Sequence, residues 1–416
     1  MATDARTVAL HGRSPSGSLL SRIRPWVRRH RLISALLALL LVLGPWEASF
    51  ASALAGPGPG SLSARAAEWA RDHGGASAVS WVENLWYSRH PPPRGGHPPR
   101  GAIPAASSPA APPVPAVVPP HLTPPAPIVP LASPALPGEG VWHPAGRPVD
   151  GVTALYEAFL RPDAVHTSLV AGVAWMDTTL LRVQLYSGSY IPGAGPWAHS
   201  APVPSSAATS LVAAFNSGFR LKDSMGGYYS EGRTVAPLRV GAASLVIYRD
   251  GTATVGSWGR DAVMGPDVAS VRQNLRLLVD GGAAVPGLAT GRTWGATVRN
   301  RTYVWRSGMG VTASGALVYV AGPGLDVPSL ASLLVRSGAV RAMELDINAD
   351  WVNFTAYAPP AGGRGTGVPA GPGLAAPGNG ATLLAGMSGG TGRYFAPWWN
   401  RDFVAVFAAY PAALRP

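Results

Sequence analysis

Between Val340 and Phe354 the chain reads VRAMELDINADWVNF, and the alternation at its centre restricts the fold more than any other stretch. Met343, Leu345 and Ile347 alternate with Glu344, Asp346 and Asn348. A period of two sends successive side chains to opposite faces, so the segment predicts a strand with one apolar and one polar face. Two carboxylates and an amide in apolar surroundings are costly to bury without partners. The polar face is therefore either wet, on a half-exposed strand, or turned into a cleft as a site.

The neighbouring patterns supply the rest of a domain. VPSLASLLVRSG, Val327 to Gly338, predicts a helix with Leu330, Leu333 and Leu334 on one face and Gly338 suited to its carboxyl-terminal cap. It feeds directly into the Glu344 strand. Leu169 to Ser189 holds two strand-like runs around Asp177-Thr178. Ser244 to Trp258 reads as a hairpin turning at Asp250-Gly251, and TYVWRSGMGVTASGALVYVAG as another turning at Ser314-Gly315. Many strands and few helices predict an α+β domain with mixed β-sheets, occupying residues 140–416.

What precedes it is of another kind. Residues 1–31 carry seven arginines and one acid, followed by LISALLALLLVL, Leu32 to Leu43. A basic flank before an apolar run is a membrane-topology signal. The run reaches the roughly 20 residues needed to span a bilayer only if Ser49 to Ala55 is included, and Ala53-Leu54-Ala55 is a small-x-small cleavage site. Residues 32–55 are thus a signal anchor or a cleaved signal peptide. Either sends the remainder outside, as a single-pass protein of the cell membrane or a secreted one. The net charge of +12 then carries no nucleic-acid footprint: half of the excess lies in this flank, and Lys222 is the one lysine of the chain. Residues 56–90 predict two short amphipathic helices, split at Gly74-Gly75, with Val79, Val82, Leu85 and Trp86 sharing a face in the second. Residues 91–139 are rich in proline, alanine and glycine and predict an extended spacer.

Five features fall at strand ends or turns: Asn216 in FNSGF, Glu231 in YYSEGR, Asp280 in VDGG, Arg306 in WRSGMG, and the Glu344/Asp346/Asn348 face. Singly each has a plain reading as a turn, a cap or a surface charge. Jointly they offer carboxylates and a guanidinium fork suited to phosphate or carboxylate. Gly386-Met387-Ser388-Gly389-Gly390 matches a nucleophile elbow, but that order needs a histidine after the serine, and all nine histidines lie at or before His199. Asp346-x-Asn348-x-Asp350 opens like an EF-hand loop, yet Trp351 and Tyr357 stand where glycine and glutamate belong. No cofactor follows from these residues; a calcium site of another kind is the alternative. With no cysteine, thiolate chemistry is excluded.

In this order, FNSGF, the DG-turned hairpin, RSGMGV with its hairpin, the leucine-rich helix and ELDINAD resemble the phosphodiester glycosidase family over about Leu169 to Tyr357. FNSGF resembles the family's N-G-G-F segment, RSGMGV its R-T-A-V-G segment, and ELDINAD its L-D-G-G-G-S segment. Ile347 and Asn348 stand where that last segment has glycines, which narrows or re-aims the pocket. The resemblance implies an exported hydrolase cleaving a glycosyl phosphodiester in a cell-envelope or extracellular glycan. Its phosphate would be held by Arg306, and its catalytic carboxylate would be Asp346 with Glu344 or Asp280 as partner. Asn216, Phe219, Asn348 and Glu231 would contact substrate. Two carboxyl groups on glycosidic cleavage lie about 5–5.5 Å apart when configuration is retained and about 6.5–9.5 Å when it is inverted. A catalytically inactive glycan-binding envelope module is the alternative.

Overall fold

The computed structural model describes residues 30–55, 61–105, 118–208, 210–289, 293–295, 303–358, 380–396 and 401–409. Most of the basic 1–31 flank therefore lies outside the described residues. The chain divides into two units, Met1–Gly56 and Pro57–Pro416. In the first, Arg31–Ala55 is one helix with Pro45 inside it. Among the described residues no helix is long and apolar enough to cross a membrane.

The second unit is built on strands. Its largest sheet runs in the order His143–Ala145, Leu155–Leu160, Ala171–Met176, Leu317–Leu325, Val304–Thr312, Ala339–Glu344, Leu277–Asp280 and Ala283–Ala284. A five-stranded sheet runs Gly380–Thr382, Phe354–Tyr357, Leu211–Asn216, Phe403–Ala408, Leu181–Tyr186, and another is formed by strands between Tyr228 and Ser257 with Val268–Gln273 at its centre. Every ladder among the described residues is antiparallel, so the sheets are β-rich with few helices but not mixed in direction. Both hairpins read from the sequence are present, Ala243–Tyr248 with Ala253–Ser257 and Val304–Thr312 with Leu317–Leu325.

Alternation along Leu317–Leu325 shows how the layers stack. Leu317, Tyr319 and Ala321 face one core, shared with Phe215, Phe354 and Val404 of the five-stranded sheet. Val318 and Val320 face the other, shared with Leu330, Leu333 and Leu334 of the Val327–Arg336 helix. That helix begins on Asp326, whose carboxylate accepts the Ser329 amide, and is followed by Gly338 at φ +89°. Its close approach explains two glycines of RSGMG. A Cβ on Gly308 would stand 3.1 Å from Leu334, and one on Gly310 would stand 2.8 Å from Ala339. Those glycines admit the helix and its strand rather than a ligand.

The proline-rich tract is not a free spacer throughout. Ile128 and Ala132 are buried, the Ile128 amide donates to the Gly140 carbonyl, and Leu122 donates to Asp177. Arg161 binds Glu139 and the carbonyls of Ala132 and Pro134, fixing this strap across the large sheet. The folded unit therefore takes in residues before Gly140, which the composition alone hid.

Near one edge of the same sheet lies a buried carboxyl group. Glu157 faces His143 across the ladder, and its Oε1 is buried without a hydrogen bond from the protein. Burial pushes its carboxyl up to about 7. The folded protein thus keeps a proton that the unfolded chain releases from about pH 4.5 upward. Stability falls as pH rises from there to about 7, by up to about 3 kcal/mol from this group. Glu157→Gln is expected to raise the melting temperature at pH 8 and to flatten that decline, as thermal scans between pH 4.5 and 8 would register.

Candidate functional site

The strand carrying ELDINAD ends sooner than its alternation predicts. Ala339–Glu344 pairs with Val304–Thr312 up to Gly308 opposite Glu344. Beyond it Ser307 takes over: its carbonyl accepts the Leu345 amide at 2.8 Å, its amide donates to Asp346 O at 2.9 Å, and its hydroxyl lies 3.1 Å from both Asp346 N and Asp346 O. Asp346 then turns the chain. Its Oδ1 accepts the Asn348 amide at 2.9 Å, and Asn348 Oδ1 in turn accepts the Asp350 amide at 2.9 Å. Short polar side chains that bond the backbone two residues on are turn formers, and this local competition defeats the period-two pattern.

Glu344 and Asp346 consequently do not share a wet face. Arg306, Gly308 and Glu344 lie on the sheet face that the Val327–Arg336 helix covers. Both Glu344 and Arg306 are fully buried, 2.5 Å apart, with Arg306 Nε donating to the Leu325 carbonyl. Burial pushes the Glu344 carboxyl up to about 7 despite the guanidinium beside it. A pair enclosed in this way holds strand to strand. Two roles expected from the sequence, phosphate binding by Arg306 and catalytic partnership by Glu344, are not supported by this placement.

Asp346 is joined instead by Arg401, which no sequence pattern had singled out. Arg401 Nη1 lies 2.8 Å from Asp346 Oδ2, and its guanidinium carbon sits 3.7 Å from the centre of the Trp351 ring. Burial raises the Asp346 carboxyl above its usual range, while Arg401 and the amides of Asn348 and Ile347 oppose the rise. The signal for Arg401 is faint but present: a charged Arg-Asp pair stands directly before the wholly apolar FVAVFA run. Its neighbour Asp402 is also buried and holds Arg272, which reaches the Phe219 carbonyl.

The remaining candidates divide. Asn216 is close to Asp346 but spent: its amide donates to Ser217 O and Ser307 Oγ, and its oxygen accepts from Tyr319 Oη and the Asn353 amide. Four bonds exhaust an amide side chain. It positions Ser307 and leaves nothing for substrate hydroxyls. Asn274 plays the same part on the other side, donating to the Glu344 and Leu345 carbonyls and accepting the Phe219 amide. Phe219 is buried, and the Cβ direction of Gly295 points at both Phe219 and Ile347. Ile347 therefore fills the wall beside Phe219. Asp280 is at the wrong end of the sheet. Antiparallel pairing sets Val279 opposite Ala342, and Asp280 lies exposed against Arg260. Glu231, at φ +52°, is occupied by the amides of Ala198 and His199 and by the His199 ring.

The two helices read from residues 56–90 are Leu62–Ala70 and Ala76–Arg89, joined at Gly74-Gly75. They close on the site. Glu68 binds Arg401, Asp72 binds Arg220, Lys222 and Tyr190, and the Ser61 amide meets Asp350. Asp346 keeps a side-chain exposure of 5% and Arg401 of 9%. Among the described residues no group of three or more histidines and carboxylates converges as a metal would require.

Residues 209–346 match the phosphodiester glycosidase family, as the FNSGF, RSGMGV and ELDINAD segments imply. The matched span includes Ser307 and Asp346 but not Trp351 or Arg401. No curated protein matches the chain in sequence. Among solved structures, the catalytic domain of zebrafish N-acetylglucosamine-1-phosphodiester alpha-N-acetylglucosaminidase, auto-inhibited by its pro-peptide, aligns with 13% identity and a TM-score of 0.40, over 64% of this chain and 87% of that one. A hypothetical protein from Synechocystis aligns with 12% identity and a TM-score of 0.32, over 64% of each chain.

Proposed function

We propose that this chain, with a phosphodiester glycosidase segment at 209–346, is an exported hydrolase that cleaves a glycosyl phosphodiester in an envelope or extracellular glycan. The observation that carries the reading is the Asp346–Arg401 pair, a buried carboxylate and guanidinium set over Trp351 at the end of the Ala339–Glu344 strand. Water would add to the anomeric carbon as the bond from that carbon to the phosphate oxygen breaks, releasing a sugar and a phosphate monoester. Asp346 acts at the anomeric carbon. Arg401 takes the phosphate, since a guanidinium fork matches two phosphate oxygens. Trp351, itself buried, stacks on Arg401 and holds the guanidinium in place.

The helical pair bears on access. Glu68 already occupies the Arg401 guanidinium, and Asp72 occupies Arg220 and Lys222. A phosphodiester entering the site has to displace these carboxylates. With a hexose 1-phosphate diester as substrate and released reducing sugar as the readout, Glu68→Gln is expected to lower KM several-fold. Arg401→Lys is expected to raise it by about tenfold or more, because an ammonium copies the fork poorly. Unchanged KM in both variants would remove Arg401 from the phosphate site.

A second reading rests on Glu344. Its enclosure with Arg306 withdraws Glu344 from the second role in two-carboxylate glycosidic cleavage. A glycan-binding module without turnover would have this arrangement. Tight binding of the diester by the Glu68→Gln protein with no sugar released would select it. We assign the anchor role to the Leu32–Leu43 region, behind the arginine flank, with the folded unit outside the cell; a reporter fused after residue 140 and active only in the cytoplasm would refute that.

A further inference from the structure

Amphipathic helices on a domain surface ordinarily turn their apolar side inward. Ala76–Arg89 does the reverse. Its polar side makes the contacts: Glu83 pairs with Arg71 of the connecting turn, and Tyr87 lies near Asp350. Trp81, Val82 and Trp86 are 65%, 56% and 60% exposed, and Leu85 lies among them on the same face. No residue of either helix is buried, and Leu62 of the first is 66% exposed. The carboxylates of Glu68 and Asp72 tie the pair to the domain through Arg401, Arg220 and Lys222.

We propose that this outer face, centred on Trp81, Val82 and Trp86, seats in the headgroup region of a lipid bilayer. The proposal rests on the anchor reading given above for residues 32–55. Five residues, 56–60, separate Ala55 from Ser61. Even fully extended, that connection reaches no more than about 20 Å. An inserted anchor therefore holds the helical pair within the headgroup layer's range. Tryptophan is the side chain suited to that layer, with an apolar body and one polar N–H, and Arg89 adds a cation on the same side of the helix. The surface so formed is small, and it gains its partner from the tether rather than from area.

The absence of cysteine makes the test direct. Val82→Cys, which keeps both tryptophans, is labelled with an environment-sensitive fluorophore in the full chain reconstituted into lipid nanodiscs. Val240→Cys, at an 84% exposed loop position, is the reference. The Val82 label is expected to emit blue-shifted from the Val240 label and to be quenched by lipids carrying a nitroxide near the headgroup. A protein that resists alkaline carbonate extraction from membranes but shows a water-like, unquenched Val82 label overturns the proposal alone. A protein that carbonate extracts overturns the anchor reading, and the proposal with it. A blue shift without lipid quenching, together with two copies per disc, assigns the face to a second copy of the chain and also overturns the proposal.

Discussion

Asp346→Asn is expected to abolish hydrolysis of a glycosyl phosphodiester, lowering kcat by about 10²- to 10⁴-fold, the range associated with a single acid–base group. The amide keeps the shape of the carboxylate and can still accept the Asn348 amide, but it can neither attack carbon nor move a proton. Arg401 retains Glu68 as a counter-ion, so the loss should fall on kcat and not on KM. The raised carboxyl of Asp346 reflects burial, so neutralising it removes a desolvation cost along with an ion pair. The melting temperature should accordingly move little. Near wild-type turnover in this variant would remove Asp346 as the catalytic group and take the proposed function with it.

The largest effect on stability should come from the Arg306–Glu344 pair, a site candidate in sequence that the fold encloses beneath a helix. Arg306→Met leaves Glu344 buried and unpaired beneath the Val327–Arg336 helix, at a cost of about 3–5 kcal/mol. The double variant Arg306→Met with Glu344→Leu removes both charges and should recover most of that loss. Denaturant unfolding of the two proteins measures it. If Arg306→Met instead unfolds like the wild type and loses only activity, Arg306 belongs to the substrate site after all.

Local pattern carried the elements further than it carried the site. The Asp250-Gly251 and Ser314-Gly315 turns, and the leucine face of Val327–Arg336, were legible because each depends on residues close in sequence. The alternation through Glu344 and Asp346 misled for a physical reason. Period two says which residues share a face, but not what covers that face, and here it is the helix that precedes the strand. Asn216 reads as a substrate contact in sequence, yet its four bonds go to protein groups, which only the fold reveals. Arg401 escaped because its partners, Asp346 and Glu68, lie 55 and 333 residues away. The phosphodiester glycosidase match spans residues 209–346, and Arg401 lies beyond it.

The position of Phe403–Ala408 has a consequence for the order in which this protein comes into being. That strand lies between Leu211–Asn216 and Leu181–Tyr186, filling the gap between two strands made some 200 residues earlier. A ribosome that has delivered Asp346 has yet to deliver both the strand and Arg401. Until it does, two strand edges stay open, and the carboxylate has no guanidinium beside it. A chain that still lacks that strand is therefore expected to be prone to wrong pairing at those edges. Loop closure over such separations also makes final assembly slow.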